Sequence, residues 1–431
     1  MADVIPMAIE GMYDKIQTRS KVPKPSQSLR KQIETERILK KEEREEIRRQ
    51  FHYNLDQKLF SLKTQKLDMV ISPPKKSSGF CCEKCTPSSR SALSDEINAN
   101  STMNLLNLEK LESHPKGLLS KLFPHIVHAA TFKYFSFPYI YNSVLSDNKI
   151  QQTIEDSAKE LFESESTDNS IYYTMLKKQR ERAAKILTTL RSTFSFFILR
   201  LASYTMTKVF KRFFSSVIVN PNHIKMLRKA DASNLPLIFL PLHRSHIDYI
   251  MLTYILCNND IKSPLVAAGE NLRIPVFGWL LRGLGAFFIK RRVIPKKGED
   301  ILYKSVLQTY MVHCLGAGYN FEFYIEGGRT RSGKPCMPKS GLLSIIIDAY
   351  MEGTIDDALI IPVSINYERL VEGNFVREQM GDPKPIETFG SAISAIWKAL
   401  ISHYGMMRVD FSQPFSLSEM VGTLQKKSSS E

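Results

Sequence analysis

The chain has 431 residues, 43% hydrophobic and 24% charged, the balance of a globular protein of roughly two or three domains. Lysine and arginine number 59 against 44 acids, and this formal charge of +15 favours an anionic partner: nucleic acid, an acidic membrane surface or small phosphorylated substrates. The first 20 residues lack an apolar run behind basic ones, and no apolar span reaches the ~20 residues of a membrane helix, so neither a secretory signal nor a transmembrane segment is expected.

Residues 1–104 are polar and poor in apolar periodicity. Within them, 29–65 alternates opposite charges at helical spacing around Ile33, Ile38, Ile47 and Phe51, which fits a solvated helix or a partner-binding arm. Residues 72–91, with Pro73, Pro74, Gly79 and Pro87, read as linker. Cys81, Cys82 and Cys85 crowd together there without a fourth ligand at zinc spacing, so metal binding, lipidation and plain thiols all stay open, and no metal site is assigned. Cys257, Cys314 and Cys336 are scattered, unlike a secreted disulfide framework.

Residues 105–234 read mostly as helix, with clear periodicity over 150–162 and 169–190. Two stretches, 125–145 and 193–219, interleave aromatic with basic residues, a pattern that suits either a helix lying in a membrane interface or a core helix.

From Leu235 the pattern changes. Strands are expected at 235–242, 264–268, 286–290, 321–325, 358–365 and 407–411, with helices over 246–257, 276–284, 300–315, 342–350 and 389–404. This alternation implies an α/β domain over 235–415 with a helix-covered, largely parallel sheet, preceded by the helical region and followed by a tail, 416–431.

Four constellations carry chemistry. In PLHRSHIDY, His243 falls at the carboxyl end of a strand and Asp248 about one helical turn on, so the two side chains can meet. A carboxylate that fixes the imidazole tautomer makes a general base; the same two residues can equally cap a helix and close a polar turn. No G-x-S-x-G elbow lies nearby, so any activated hydroxyl belongs to a substrate. In GAFFIKRR, Lys290, Arg291 and Arg292 end a strand behind Gly283 and Gly285, fitting a phosphate grip or a solvated strand end. In YIEGGRTRSGK, glycines turn the chain while Arg329, Arg331 and Lys334 supply donors for a phosphate monoester, with Lys339 beyond and Glu326 as the odd acid. In LIIPVSINYE, Pro362 interrupts an apolar strand, which places it at an edge, a bulge or a pocket wall.

In this order HRSHID, GAFFIKR, YIEGGR and LIIPVS resemble the four blocks of the glycerolipid acyltransferase superfamily, over about 235–415. The longer text EGGRTRSGK, PKSGLLS and IIPVSINYERLVEG is most similar to glycerol-3-phosphate 1-acyltransferases, and HRSHIDY, FIKRR, CCEKCTP and RVDFSQPFSL to their animal mitochondrial type. The resemblance implies that His243 is the general base and Asp248 its orienting partner. It implies that Gly285, Lys290, Arg291, Glu326, Gly327 and Arg329 bind glycerol 3-phosphate, that Arg331, Lys334 and Lys339 supply further phosphate or CoA contacts, and that Pro362 lies on the acyl-CoA side. Lys290 stands where arginine is common, and Tyr324 and Gly328 stand where Phe and Thr are usual.

The implied reaction moves an acyl group from acyl-CoA, as co-substrate, to the 1-hydroxyl of glycerol 3-phosphate, with no cofactor and no nucleic-acid partner. A membrane lipid surface is the implied partner, and the mitochondrial outer membrane the implied site, with the endoplasmic reticulum second. Relatives of this kind continue beyond the point where this chain stops. Dihydroxyacetone phosphate or lysophosphatidic acid as acceptor is the alternative within the family, and an inactive scaffold the alternative outside it.

Overall fold

In a computed structural model, which describes residues 102–108, 111, 114–165, 169–245, 247–274, 276–290, 299–328, 337–370 and 402–428, the chain opens with a two-residue strand, β1 (Met103–Asn104). Six helices follow: α1 (Leu118–Leu122), α2 (Pro124–Ala130), α3 (Tyr141–Leu145), α4 (Asn148–Glu165), α5 (Asn169–Leu190) and α6 (Phe196–Phe213). Ser195 starts α6 by accepting the Ile198 N–H, which satisfies one of the free donors of its first turn. After β2 (Ser216–Val219) comes α7 (Pro221–Asp231), where Asn220 caps and Pro221 occupies a position that needs no N–H.

The alternating part then runs β3 (Leu237–Pro241), α8 (Asp248–Asn258), β4 (Leu265–Gly269), α9 (Phe277–Gly283), β5 (Ala286–Ile289), α10 (Glu299–Gly316), β6 (Phe321–Glu322), α11 (Gly341–Met351), β7 (Leu359–Tyr367), β8 (Met406–Phe411), β9 (Phe415–Ser416) and α12 (Leu417–Ser428). The strands form one sheet in the order β1-β2-β8-β7-β3-β6-β4-β5, with β9 also against β7. Pairings β2–β8, β7–β3, β3–β6, β6–β4 and β4–β5 are parallel, and β1–β2, β7–β8 and β7–β9 antiparallel. The largely parallel, helix-covered α/β sheet is therefore observed.

Side-chain alternation explains why both faces are covered. Leu237 and Phe239 of β3 join Ile361 and Val363 of β7 in a core with Phe210 of α6, Leu227 of α7 and Ile255 of α8. Ile238 and Ile360 point the other way, into a core with Ile154 of α4, Leu187 of α5, Met311 of α10 and Ile346 of α11. Burying each such side chain contributes roughly 1.5–3 kcal/mol, so central strands that are apolar throughout favour this layered arrangement.

Three expectations need correction. The boundary drawn at Leu235 does not bound the sheet, because β2 extends it into 105–234 and β1, at Met103–Asn104, precedes even that region. The strand expected at 321–325 pairs only through Phe321–Glu322, since the chain peels away to form the turn in which Gly327 N–H donates to the Tyr324 carbonyl. Pro362 is not at a sheet edge. β9 covers Leu359 and Ile360 while β8 covers Val363 to Tyr367, so Pro362 faces the gap where β7 changes partner, and there its carbonyl accepts the Ser412 N–H. The missing proline N–H costs no ladder bond at that point. Of the helix expected over 389–404, residues 389–401 lie outside the described residues and 402–404 are not helical.

The two aromatic stretches mix buried and exposed rings. Phe132, Phe210 and Phe213 are buried, and Phe137 stacks on Phe194 at 3.9 Å, whereas Tyr134 and Phe197 are each 72% exposed. Among the described residues no helix is long and apolar enough to cross a membrane.

Candidate active site

The turn between β3 and α8 builds the site. Strand β3 ends at Pro241, and His243 follows at the carboxyl end of the sheet, with its side chain only 15% exposed. Asp248 opens α8 with no exposed surface, and its Oδ2 lies 3.2 Å from His243 Nδ1. That same oxygen accepts the backbone N–H groups of Arg244 at 2.7 Å and Ser245 at 2.8 Å. A carboxylate at a helix start is favoured by the free N–H groups around it, which hold it in place. The other oxygen, Oδ1, accepts the hydroxyl of Tyr367 from β7.

His243 is fixed on two further sides. Its backbone N–H donates to Glu326 Oε1 at 3.0 Å, and its ring lies against the Tyr324 ring, centroids 4.1 Å apart and planes 34° from parallel. Tyr324 in turn donates its hydroxyl to Glu322 Oε1 at 3.1 Å. Glu322 has no exposed surface, and burial pushes its carboxyl well above the usual carboxylate range. Burial and the neighbouring Glu322 and Asp248 carboxyls push the Tyr324 phenol up as well. With Nδ1 engaged by Asp248, the imidazole leaves Nε2 to take a proton from a hydroxyl.

The remaining expected site residues divide into three groups. Glu326 is 4% exposed and steadies the catalytic turn through the His243 N–H, while Gly327 follows with φ +66° and Lys339 across it. Lys339 is anchored by its own N–H to the Ile325 carbonyl at 2.7 Å, so this lysine belongs to the same end of the sheet. Lys290 also lies at the carboxyl end, just past β5, with its N–H donated to the Tyr303 hydroxyl at 2.8 Å and its Nζ 5.1 Å from the Tyr303 ring centroid.

Gly285 is the exception. It precedes β5, at the opposite end of the strand from Lys290, separated along the strand by about 16–17 Å. A Cβ there would meet the Phe194 ring at 2.5 Å and the Pro264 carbonyl at 2.7 Å. Gly285 is thus required for packing at φ +106°, and the substrate contact expected of it is corrected. Arg291, Arg329, Arg331 and Lys334 lie outside the described residues.

Sequence reasoning missed Tyr367, Tyr324 as a ring contact, and Glu322. One signal was present: Glu322 is an acid inside the apolar run Phe321-Glu322-Phe323-Tyr324-Ile325. Among the described residues no group of three His, Cys, Asp or Glu side chains is placed to hold a metal ion, and Cys81, Cys82 and Cys85 lie outside them.

Residues 219–366 match the family model described as Acyltransferase, and 375–430 match that of the glycerol-3-phosphate acyltransferase C-terminal region. The chain is 37% identical over 359 residues to the mouse protein named glycerol-3-phosphate acyltransferase 1, mitochondrial, and 35% identical over the same length to the human one. Each alignment covers 81% of this chain and 43% of the relative, so the chain spans less than half the length of these curated relatives. It is also 38% identical over 225 residues, 52% of this chain and 25% of the relative, to a glycerol-3-phosphate acyltransferase of Xanthomonas axonopodis.

Proposed function

From a chain that belongs to the acyltransferase family over residues 219–366, we propose a glycerol-3-phosphate 1-O-acyltransferase that uses acyl-CoA as co-substrate. The observation that carries this reading is the His243–Asp248 pair, 3.2 Å apart at the carboxyl end of β3. His243 Nε2 takes the proton of the substrate's 1-hydroxyl as its oxygen attacks the thioester carbon. The carbon–sulfur bond then breaks, the thiolate of CoA takes the proton from the imidazolium, and the acyl ester, lysophosphatidic acid, leaves the site. Asp248 holds the imidazole in the required tautomer and stabilises its charged form.

The acceptor's phosphate is a dianion, and Lys290 and Lys339 supply positive charge at the same end of the sheet. Arg291, Arg329, Arg331 and Lys334 complete that charge in this proposal, with arginine forks matching the phosphate oxygens better than lysine. Glu326 and Gly327 shape the turn that presents them. Pro362 is assigned to the acyl-CoA side. The reaction so written uses no cofactor.

The proposal includes attachment to a lipid surface, with the mitochondrial outer membrane as the site. Relatives that support it carry the word mitochondrial in their names. A physical support is an apolar surface shared by elements that pack together: α1 on α2, and α2 and α9 on α6. Leu119, Leu122, Phe123, Phe197, Val276 and Trp279 are each more than half exposed on them. Lys208, Lys211 and Arg212 lie on the same α6, which suits apolar insertion beside anionic headgroups.

Incubating the purified chain with labelled acyl-CoA and, separately, glycerol 3-phosphate, dihydroxyacetone phosphate and lysophosphatidic acid tests the reading. Transfer to the first acceptor is expected. Preference for either other acceptor would replace it, and transfer to none would leave a scaffold.

A further inference from the structure

We propose that Glu322 and Tyr324 act as a positioning pair for the general base, the carboxyl fixing the phenol and the phenol's ring fixing the plane of the His243 imidazole. The proposal rests on the acyl-transfer reading of the site. Three observations join to carry it: the Tyr324 hydroxyl donates to Glu322 Oε1 at 3.1 Å, the Tyr324 ring lies 4.1 Å from that of His243, and Glu322 Oε2 is buried without a partner among the described residues.

Packing alone does not account for an acid here. The run 321–325 is otherwise apolar or aromatic, and a leucine would fill the space without leaving a polar atom unpaired. The acid does what a leucine does not, accepting the one hydroxyl that sets the rotation of the Tyr324 ring. The ring is then a fixed wall, and an imidazole resting on it keeps Nδ1 on Asp248 and Nε2 free for the substrate hydroxyl. Displacement of a catalytic group by an ångström or so costs rate without any loss of substrate binding.

Burial pushes the Glu322 carboxyl towards its neutral form. The neighbouring Asp248 carboxyl pushes it in the same direction. A second carboxylate charge beside Asp248 would hold the imidazole protonated, which is the wrong state for a base. Tyr324 is for the same reason no proton donor to the departing thiolate, since its hydroxyl is turned to Glu322.

The test compares Glu322→Ala, Glu322→Gln, Tyr324→Ala and Tyr324→Phe in the full chain, with thermal unfolding as the check on folding. Glu322→Ala and Tyr324→Ala are expected to lower kcat about tenfold or more, with KM for acyl-CoA and acceptor held within about twofold. Glu322→Gln, which keeps a neutral acceptor, is expected to recover most of that loss, and Tyr324→Phe, which keeps the ring without its anchor, to fall between. Nitrogen-15 spectra of labelled histidine are expected to show His243 as the Nδ1–H tautomer in the wild type and the Gln variant, and a mixture in the two Ala variants. If Glu322→Gln loses as much as Glu322→Ala, the charge and not the anchor matters and the proposal falls; it falls too if the Ala variants keep kcat and the tautomer, or if the loss is in KM. A wild type inactive on every acceptor would overturn the proposed function, while the tautomer measurement would still decide whether the pair exists.

Discussion

The carboxylate of Asp248 meets the imidazole of His243 at 3.2 Å through an oxygen that two backbone N–H groups already hold. The chain geometry of the turn therefore fixes the carboxylate first and the histidine second. Asparagine at 248 has the same shape and can keep those N–H bonds, but it removes the charge that stabilises imidazolium. Asp248→Asn is expected to lower kcat on the order of a thousandfold while the protein stays folded, as read by steady-state rates alongside circular dichroism.

Tyr367 reaches Asp248 from another strand, giving its hydroxyl to Oδ1. Tyr367→Phe leaves a buried carboxylate oxygen short of a donor, at a cost of roughly 1–3 kcal/mol in stability. Denaturant unfolding should show that loss, together with a several-fold fall in kcat and little change in KM.

Gly285 separates a binding role from a packing role. Alanine there would combine a left-handed backbone with contacts of 2.5 Å to Phe194 and 2.7 Å to the Pro264 carbonyl, an expected loss of roughly 2–5 kcal/mol. The midpoint of unfolding should fall accordingly, and the KM of the molecules still folded should match the wild type. A raised KM with unchanged stability would restore the substrate contact.

Much of this arrangement was legible because it is local. His243 and Asp248 are separated by one turn of chain, so spacing alone brought them within reach, and the alternation of apolar runs marked β3, β4, β5 and β7 to within a few residues. Tyr324 and Tyr367 were not legible as partners of the pair because their approach depends on sheet order. Tyr324 follows β6 and Tyr367 ends β7, the two strands that flank β3, and nothing in the chain between them announces that neighbourhood. Pro362 was expected at an edge, a bulge or a pocket wall, and its place at the seam between β8 and β9 excludes only the edge, because the break in pairing comes from partners distant in the chain. Gly285 was assigned through its block, whereas its role is set by Phe194 from a segment outside the four blocks.

The Glu322 carboxyl makes stability depend on pH. Burial raises its folded-state pKa above the unfolded one, so at a pH between the two folding takes up a proton. The resulting stability is full below the ordinary glutamate range and is lost as the pH rises towards the folded pKa. Glutamine does not titrate. Unfolding of wild type and Glu322→Gln followed from about pH 5 to about pH 8 should therefore show the variant gaining on the wild type as the pH rises. A constant difference would mean that Glu322 is ionised in the fold.

The most direct measurement is the rate of acyl transfer from labelled acyl-CoA to glycerol 3-phosphate by wild type and His243→Ala, each confirmed as folded. Loss of the general base is expected to lower kcat by at least about a hundredfold. Turnover in His243→Ala equal to the wild type would contradict the account.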